Sequence, residues 1–275
     1  MKAKILLDPN KPKVDYDKVR GVVLAAGIEL STRRADIGIV VGGDGVFSEF
    51  GRSESIPLLF VGVKSRRPTG SKAYLAEVEF EEIGATLARV AAGKYSVVQF
   101  KRLEVLKDGR SLGDVFTDVY LQRGADSNCV RYHLTVKGMS EVTSESAIGD
   151  GVVVSTSAGS TGYFSYPDKL KNGDHLVADG HTYIGEDQVG ICHILPTYTQ
   201  REGSNEHPLR YTVPWGCRIE MKIDRPVDAR LFGLGWDRQG VKVTTKDLIS
   251  VVPSQRTTRV IRTTGNGVAS RPNHP

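Results

Sequence analysis

The chain has 275 residues, 39% hydrophobic and 25% charged, with a formal net charge of +5. That length supports one large domain or, as the preferred division, two modest ones with cores of their own, and that composition excludes a disordered or fibrous protein. The basic residues are scattered, with no Lys/Arg stripe interleaved with aromatics, so the charge favours small anions such as nucleotides over nucleic acid.

The chain opens on "MKAKILLDPN", whose apolar stretch is too short for a signal peptide; the longest later apolar run, "GVVLAAGI", is too short to cross a bilayer, so no membrane partner is expected. Up to about residue 95, strand-like and helix-like runs alternate: "KILLD" (4–8), a helical 16–30, "DIGIVV" (36–41), "PLLFVGV" (57–63) and a helical 80–94. In the last of these Ile83, Leu87, Val90 and Ala91 share one helical face, the pattern of a helix laid on a sheet. Such alternation predicts a parallel sheet with right-handed crossovers, a Rossmann-like α/β domain over residues 1–95.

From 96 to 250 the style changes to short runs rich in Val, Ile, Thr and Tyr, among them 114–124, 130–138, 151–157, 218–224 and 228–233, broken by Gly, Asp and Asn. They predict a β-rich, sandwich-like domain. A segment from 251 to 275 turns polar and basic from about Thr257 and is expected to end loosely. Cys129, Cys192 and Cys217 are widely spaced and form no CxxC, which argues against a disulfide framework or zinc cluster and fits a reducing cytoplasm.

Two glycine motifs carry chemistry. Gly42-Gly43-Asp44-Gly45 follows the strand "DIGIVV", and the carboxyl end of a parallel strand is where ligands collect. The glycines let backbone N–H groups approach a phosphate, and a following helix adds its positive end. A carboxylate there repels phosphates unless it holds a metal ion or takes a proton from an attacking hydroxyl. A tight turn with Asp44 as a helix N-cap reads equally well from these four letters alone. The second motif, "GDGVVVSTSAGSTGY" (149–163), sets a strand between Asp150 and a loop of glycines and hydroxyls ending in Tyr163.

In this order and separation, the two motifs resemble those of the NAD kinase family: GGDG in the first domain and a DG…STPTGSTAY-like segment in the second. "ILLDPNKP", "FEEIGATLARVAAGKYSVVQFKRLEV" and Asp237 in "WDRQG" extend the similarity over most of residues 1 to 250. The resemblance implies the NAD kinase-like fold, with the active site in the cleft between the domains and the C-terminal segment crossing back to the first. It implies transfer of a terminal phosphoryl group from ATP or another donor to the adenosine-ribose 2′-hydroxyl of NAD, with Mg²⁺ or another divalent cation. Asp44 takes the catalytic position; Gly42, Gly43 and Gly45 shape the phosphate turn; Asp150 holds the nicotinamide end; Gly159, Thr161, Gly162 and Tyr163 line the adenine or nicotinamide pocket. A homodimer or homotetramer is implied in the same way.

The departures are specific. The family's Asn-Glu or Asn-Asp pair is matched by Thr117-Asp118, which keeps an acceptor for ribose hydroxyls and loses a side-chain amide. Ala158 stands where Thr or Ser is usual, and Gly162 where Ala is. Lys64, Arg66, Arg67 and Lys72 gather near the expected phosphate side, either binding the donor or forming a solvated basic loop. The family's histidine has two possible counterparts, His193 and His207, or neither. Walker A, GxGxxG, HExxH and GxSxG patterns are absent, which sets aside P-loop, hydride-transfer, metalloprotease and serine-hydrolase readings. Two alternatives remain beside the kinase: a lipid or diacylglycerol-type kinase sharing the GGDG turn, and a nucleotide-binding protein retired from catalysis.

Overall fold

The computed structural model describes residues 1–63, 72–125, 127–138, 140–172, 183–237 and 239–263. The chain divides into one unit of Met1–Phe100 with the residues from Thr257 onward, and a second of Lys101–Arg256.

In the first unit, β1 (Lys2–Leu7), α1 (Tyr16–Ala25), β2 (Glu29–Leu30), β3 (Ile37–Gly42), α2 (Asp44–Ser53), β4 (Leu58–Gly62), β5 (Val78–Glu79) and α3 (Ile83–Ala91) follow in order. The pairings among these strands are parallel: β1 lies between β2 and β3, and β4 pairs with β3 and β5; β4 also pairs in parallel, at Leu58, with Val260. β3 and β4 are buried throughout, as strands covered on both faces must be. One face carries Ile39, Val41, Leu59 and Val61 against Val19 and Val23 of α1 and Leu87 of α3. On the other, Phe60 stacks on Phe47 of α2 with ring centroids 4.7 Å apart.

Local chemistry sets the helix ends. The Asp15 side chain caps α1 by accepting from Asp17 N–H. The helix expected over 16–30 stops at Ala25, because Gly27 takes φ 76° and turns the chain into β2. In α3, Ile83, Leu87 and Val90 are buried, whereas Ala91, expected on the same face, is exposed.

The second unit contains β6 (Ser96–Lys107), which begins in the first, then β7 (Arg110–Val115), β8 (Asp118–Arg123), β9 (Val130–Lys137), β10 (Val142–Gly149), β11 (Gly151–Ser155), α4 (Tyr166–Asn172), β12 (Gln188–Ile194), β13 (Tyr198–Arg201), β14 (Arg210–Pro214), β15 (Arg218–Ile223), β16 (Ala229–Phe232), β17 (Val241–Val243) and β18 (Ile249–Arg262), which ends in the first. One antiparallel sheet has the order β13-β10-β9-β15-β18 and the other β14-β12-β11-β8-β16-β17. They enclose one core, in which Tyr132, Leu134 and Ile219 of the first meet Val152, Val154 and Ile191 of the second. In β9 alternate residues face that core, and Arg131, His133 and Lys137 face outward. β11 is buried on both faces because Val153 packs outward against Phe164, Ile184, Cys192 and Ile194.

The strands β10, β12, β13, β14, β17 and β18 were not among the expected segments. β10 reads "VTSESAIG", whose polar residues give little apolar periodicity although its pairing with β9 is complete. The polar tail expected from Thr257 is instead strand as far as Arg262, with Val260 and Ile261 fully buried; the loose end expected beyond lies outside the described residues.

Candidate functional site

In the first unit, Gly42 ends β3, Gly43 is the N-cap of α2, and Asp44 is the first helical residue. Asp44 is therefore not the cap. The cap, a glycine, supplies no side-chain bond, and helix N-termini as a class favour anions. Asp44 is half-buried, and its Oδ1 accepts from Leu75 N at 3.0 Å, which ties the carboxylate to the loop ahead of β5. The glycines have different roles. A Cβ on Gly42 would meet Val46 Cβ at 2.8 Å, so packing demands the glycine, whereas Gly45 has nothing within 4 Å and leaves open space beside the turn. Lys64, Arg66 and Arg67 lie outside the described residues; Lys72 is half-buried.

In the second unit, β8 and β11 present the rest. Asp118 lies opposite Ser155, Tyr120 opposite Val153 and Gln122 opposite Gly151. Burial pushes the Asp118 carboxyl up to about 6, opposed by hydrogen bonds from the Thr117 side chain and the Tyr163 backbone. Tyr120, pushed up to about 12 by burial and then by the negative charge of Asp118, packs between Tyr163 and Phe232, each with its ring centroid 5.4 Å away.

The loop 159–163 is clamped from below. A Cβ on Gly159 would stand 2.2 Å from Ser155 Oγ and 2.5 Å from Thr117 O, so only glycine lets the loop lie on the sheet. Ser165 Oγ and Lys169 Nζ both donate to Thr161 O, and Ser160 Oγ accepts from Ile184 N. Arg210 holds Asp168 of α4 with two bonds of 2.8 and 2.6 Å. Gly162 is exposed, and a Cβ there would come within 3.1 Å of Asp118 Oδ2. Asp150 sits in the turn by which the chain leaves β10 and enters β11, with Oδ1 2.9 Å from Arg123 Nε. Thus Asp118, Asp150, Gly159, Thr161, Gly162 and Tyr163 belong to one neighbourhood, joined by Tyr120, Gln122 and Phe232.

No protein-family model matches the chain. Among curated proteins it is similar to an NAD kinase of Methanopyrus kandleri, 26% identical over 233 residues, covering 84% of this chain and 74% of that one. It is 28% identical to an NAD kinase of a Geobacter species over 238 residues, covering 83% and 73%. Against an NAD kinase of Thermoplasma volcanium the identity is 26% over 160 residues, and the chain spans little more than half of that relative, 56%. Two solved structures share the fold: a yeast NADH kinase complexed with NADH, TM-score 0.69 at 16% identity over 97% of this chain and 84% of that one, and an Archaeoglobus fulgidus NAD kinase in complex with ATP, TM-score 0.64 at 17% identity over 96% and 94%.

The chain resembles the NAD kinases in sequence and shares their fold.

Its departures from the NAD kinase pattern acquire a physical setting. Thr117 is buried, its hydroxyl bonded to Asp118 and its carbonyl occupied by Thr156 N and Ser155 Oγ, so it supports a carboxylate where an Asn would offer an amide. Ala158 is buried beside Gly159 at the floor of the loop. His207 lies at the surface with Nδ1 against Thr199 O, whereas His193 is fully buried between Tyr132 and Glu145. Tyr120, Arg123 and Phe232 were not singled out from sequence. The period-2 alternation of "DVYLQR" was the available signal, since it sets Asp118, Tyr120 and Gln122 on one face.

Proposed function

We propose that this protein transfers the terminal phosphoryl group of ATP to the adenosine-ribose 2′-hydroxyl of NAD, yielding NADP and ADP. The observation that carries this reading is the Asp44 carboxylate at the first turn of α2, held by Leu75 N where the helix end attracts phosphate. The hydroxyl oxygen bonds to the terminal phosphorus, the bond from that phosphorus to the ADP oxygen breaks, and Asp44 takes the hydroxyl proton. Gly42 and Gly43 shape the turn, while the open space at Gly45 admits the donor. In the second unit, Asp118 accepts from ribose hydroxyls, Asp150 holds the nicotinamide end, and Gly159, Thr161, Gly162 and Tyr163 line the dinucleotide pocket.

Among the described residues, no group of three His, Cys, Asp or Glu side chains is arranged to hold a metal. A Mg²⁺ or other divalent cation would be carried mainly by the donor's phosphates, with Asp44 as its protein ligand, and would neutralise charge on those phosphates. A homodimer or homotetramer working in the cytoplasm completes the proposal; all three cysteines are unpaired, and no described helix is long and apolar enough to cross a membrane. Purified protein incubated with NAD, ATP and Mg²⁺ is to be assayed for NADP with an NADP-specific dehydrogenase, with Asp44→Asn in parallel. NADP from the native protein alone supports the reading; native protein that is folded yet makes none with any common donor overturns it.

A further inference from the structure

A charged cluster lies inside the second unit where packing alone needs only apolar groups. Glu145 on β10 has 1% of its surface exposed, and a carboxylate so buried is costly unless fully paired. Four hydrogen bonds reach it. Arg201 donates to Oε1 through Nε and a terminal nitrogen at 3.2 and 3.0 Å, while His193 Nε2 and Tyr211 OH contact Oε2 at 3.1 and 2.9 Å. Burial raises the carboxyl, but the bonds from His193, Tyr211 and Arg201 prevail and leave it below its ordinary value. An ionised carboxylate only accepts, so His193 Nε2 donates to it; the Tyr132 hydroxyl, whose single hydrogen goes to Gly151 O, accepts from His193 Nδ1 at 2.7 Å.

The cluster ends at the site. Tyr132 belongs to β9 in one sheet, and its hydroxyl donates at 2.7 Å to the carbonyl of Gly151 in the other, at the turn that carries Asp150. Gly151 has φ 144°, and a Cβ there would lie 1.9 Å from Leu121 O, so no side chain can brace this residue. A glycine has the largest backbone freedom of any residue, which leaves the direction of the turn to hydrogen bonds from outside. The carbonyl of the same His193 accepts from Tyr166 OH at 2.7 Å, and the Tyr166 ring meets Tyr163 edge-on at 6.3 Å.

We propose that His193 is a positioning residue of the dinucleotide site: through its ring and Tyr132 it holds the Asp150 turn, and through its carbonyl and Tyr166 it holds the loop ending in Tyr163. This rests on the reading of Asp150 and that loop as dinucleotide contacts. Glu145 fixes the ring, and Arg201 and Tyr211 fix Glu145. The cluster thereby orients groups that touch substrate while touching none itself.

The test uses full-length Tyr132→Phe, which keeps the ring and removes the hydroxyl, beside Val136→Ala, which opens a cavity on the same strand away from the cluster. Tyr132→Phe is expected to raise the KM for NAD about tenfold, from the loss of one buried hydrogen bond, while kcat at saturation stays within about twofold. Amide hydrogen exchange at Asp150 and Gly151 is expected to quicken in Tyr132→Phe, and exchange at Thr161 to Tyr163 in Tyr166→Phe. Val136→Ala lowers the melting temperature with KM and local exchange unchanged. If Tyr132→Phe melts earlier but keeps its KM and exchange, or if Val136→Ala shifts both in the same way, the positioning role is wrong. Should the native protein make no NADP, the functional reading fails separately, and exchange alone decides: quickening confined to the turn and loop supports the brace, and its absence overturns it.

Discussion

Arg123 Nε stands 2.9 Å from Asp150 Oδ1, and the two residues also share a backbone hydrogen bond from Arg123 N, at the end of β8, to Asp150 O, in the turn ahead of β11. The carboxylate proposed to hold the nicotinamide end is thus partly neutralised by the neighbouring strand. The oxidised nicotinamide ring carries a positive charge that the reduced ring lacks, so this guanidinium weighs against NAD relative to NADH. Arg123→Gln is expected to raise the ratio of kcat/KM for NAD to that for NADH several-fold, on the order of 1 kcal/mol for charges that remain near solvent. Steady-state kinetics with both dinucleotides measure it; an unchanged ratio removes Arg123 from specificity.

Asp44→Asn keeps the shape of the side chain and its contact with Leu75 N while removing proton acceptance. If Asp44 is the general base, kcat falls by about 10²–10⁴ with little change in the KM for NAD. Retained turnover would assign the proton to another group. Melting curves should show that the loss of activity is not loss of fold.

Asp118 makes stability depend on pH. Its carboxyl is raised from 3.8 to about 6 by burial, so between these values the native state binds more protons than the unfolded one. Stability from this group is then fully present below about pH 3.8 and is lost as pH rises through about 6, on the order of 3 kcal/mol. Asp118→Asn should flatten that part of the curve. Urea denaturation at pH 4.5 and 7.5, for native protein and variant, gives the comparison; the same slope in both would place the effect elsewhere.

Gly45 and Gly159 should separate stability from activity. Gly159→Ala forces a Cβ into Ser155 Oγ and Thr117 O and is expected to cost about 1–3 kcal/mol, read as a lower denaturant midpoint. Gly45→Ala meets open space in the first turn of α2, where Ala stabilises a helix by up to about 1 kcal/mol. On the proposed placement of the donor its Cβ stands in the donor's path, so the KM for ATP should rise even though the protein melts later. A Gly45→Ala variant with native ATP kinetics would contradict the placement of the donor.

Much of the fold was legible. The buried strands β3 and β4 read as continuous apolar runs, and α3 as a 3.6-residue pattern, because both patterns follow from which faces a sheet and its helices must cover. The glycine motifs marked their loops for a comparable reason: a missing Cβ matters where backbone approaches backbone, as at Gly159 over Thr117. The strand β10 was not legible. In "VTSESAIG" Glu145 looks like a surface residue, and only pairing with β9 and β13 carries it inside to meet Arg201, 56 residues away in sequence.

The sequence by itself determined the α/β-then-β order, the two glycine motifs and the acidic residues within them, since strand period, helical face and glycine turns depend on short-range sterics and on apolar residues leaving water. Tertiary structure alone decided that Asp44 follows the helix cap, that Thr117 supports Asp118, that Arg123 answers Asp150, and that His193 joins Glu145 to the Gly151 turn. Those are choices of charged and hydrogen-bonding partners. Such groups cannot be buried alone, and the residues that satisfy them come from whichever strands the sheet order brings alongside, at separations no local pattern records.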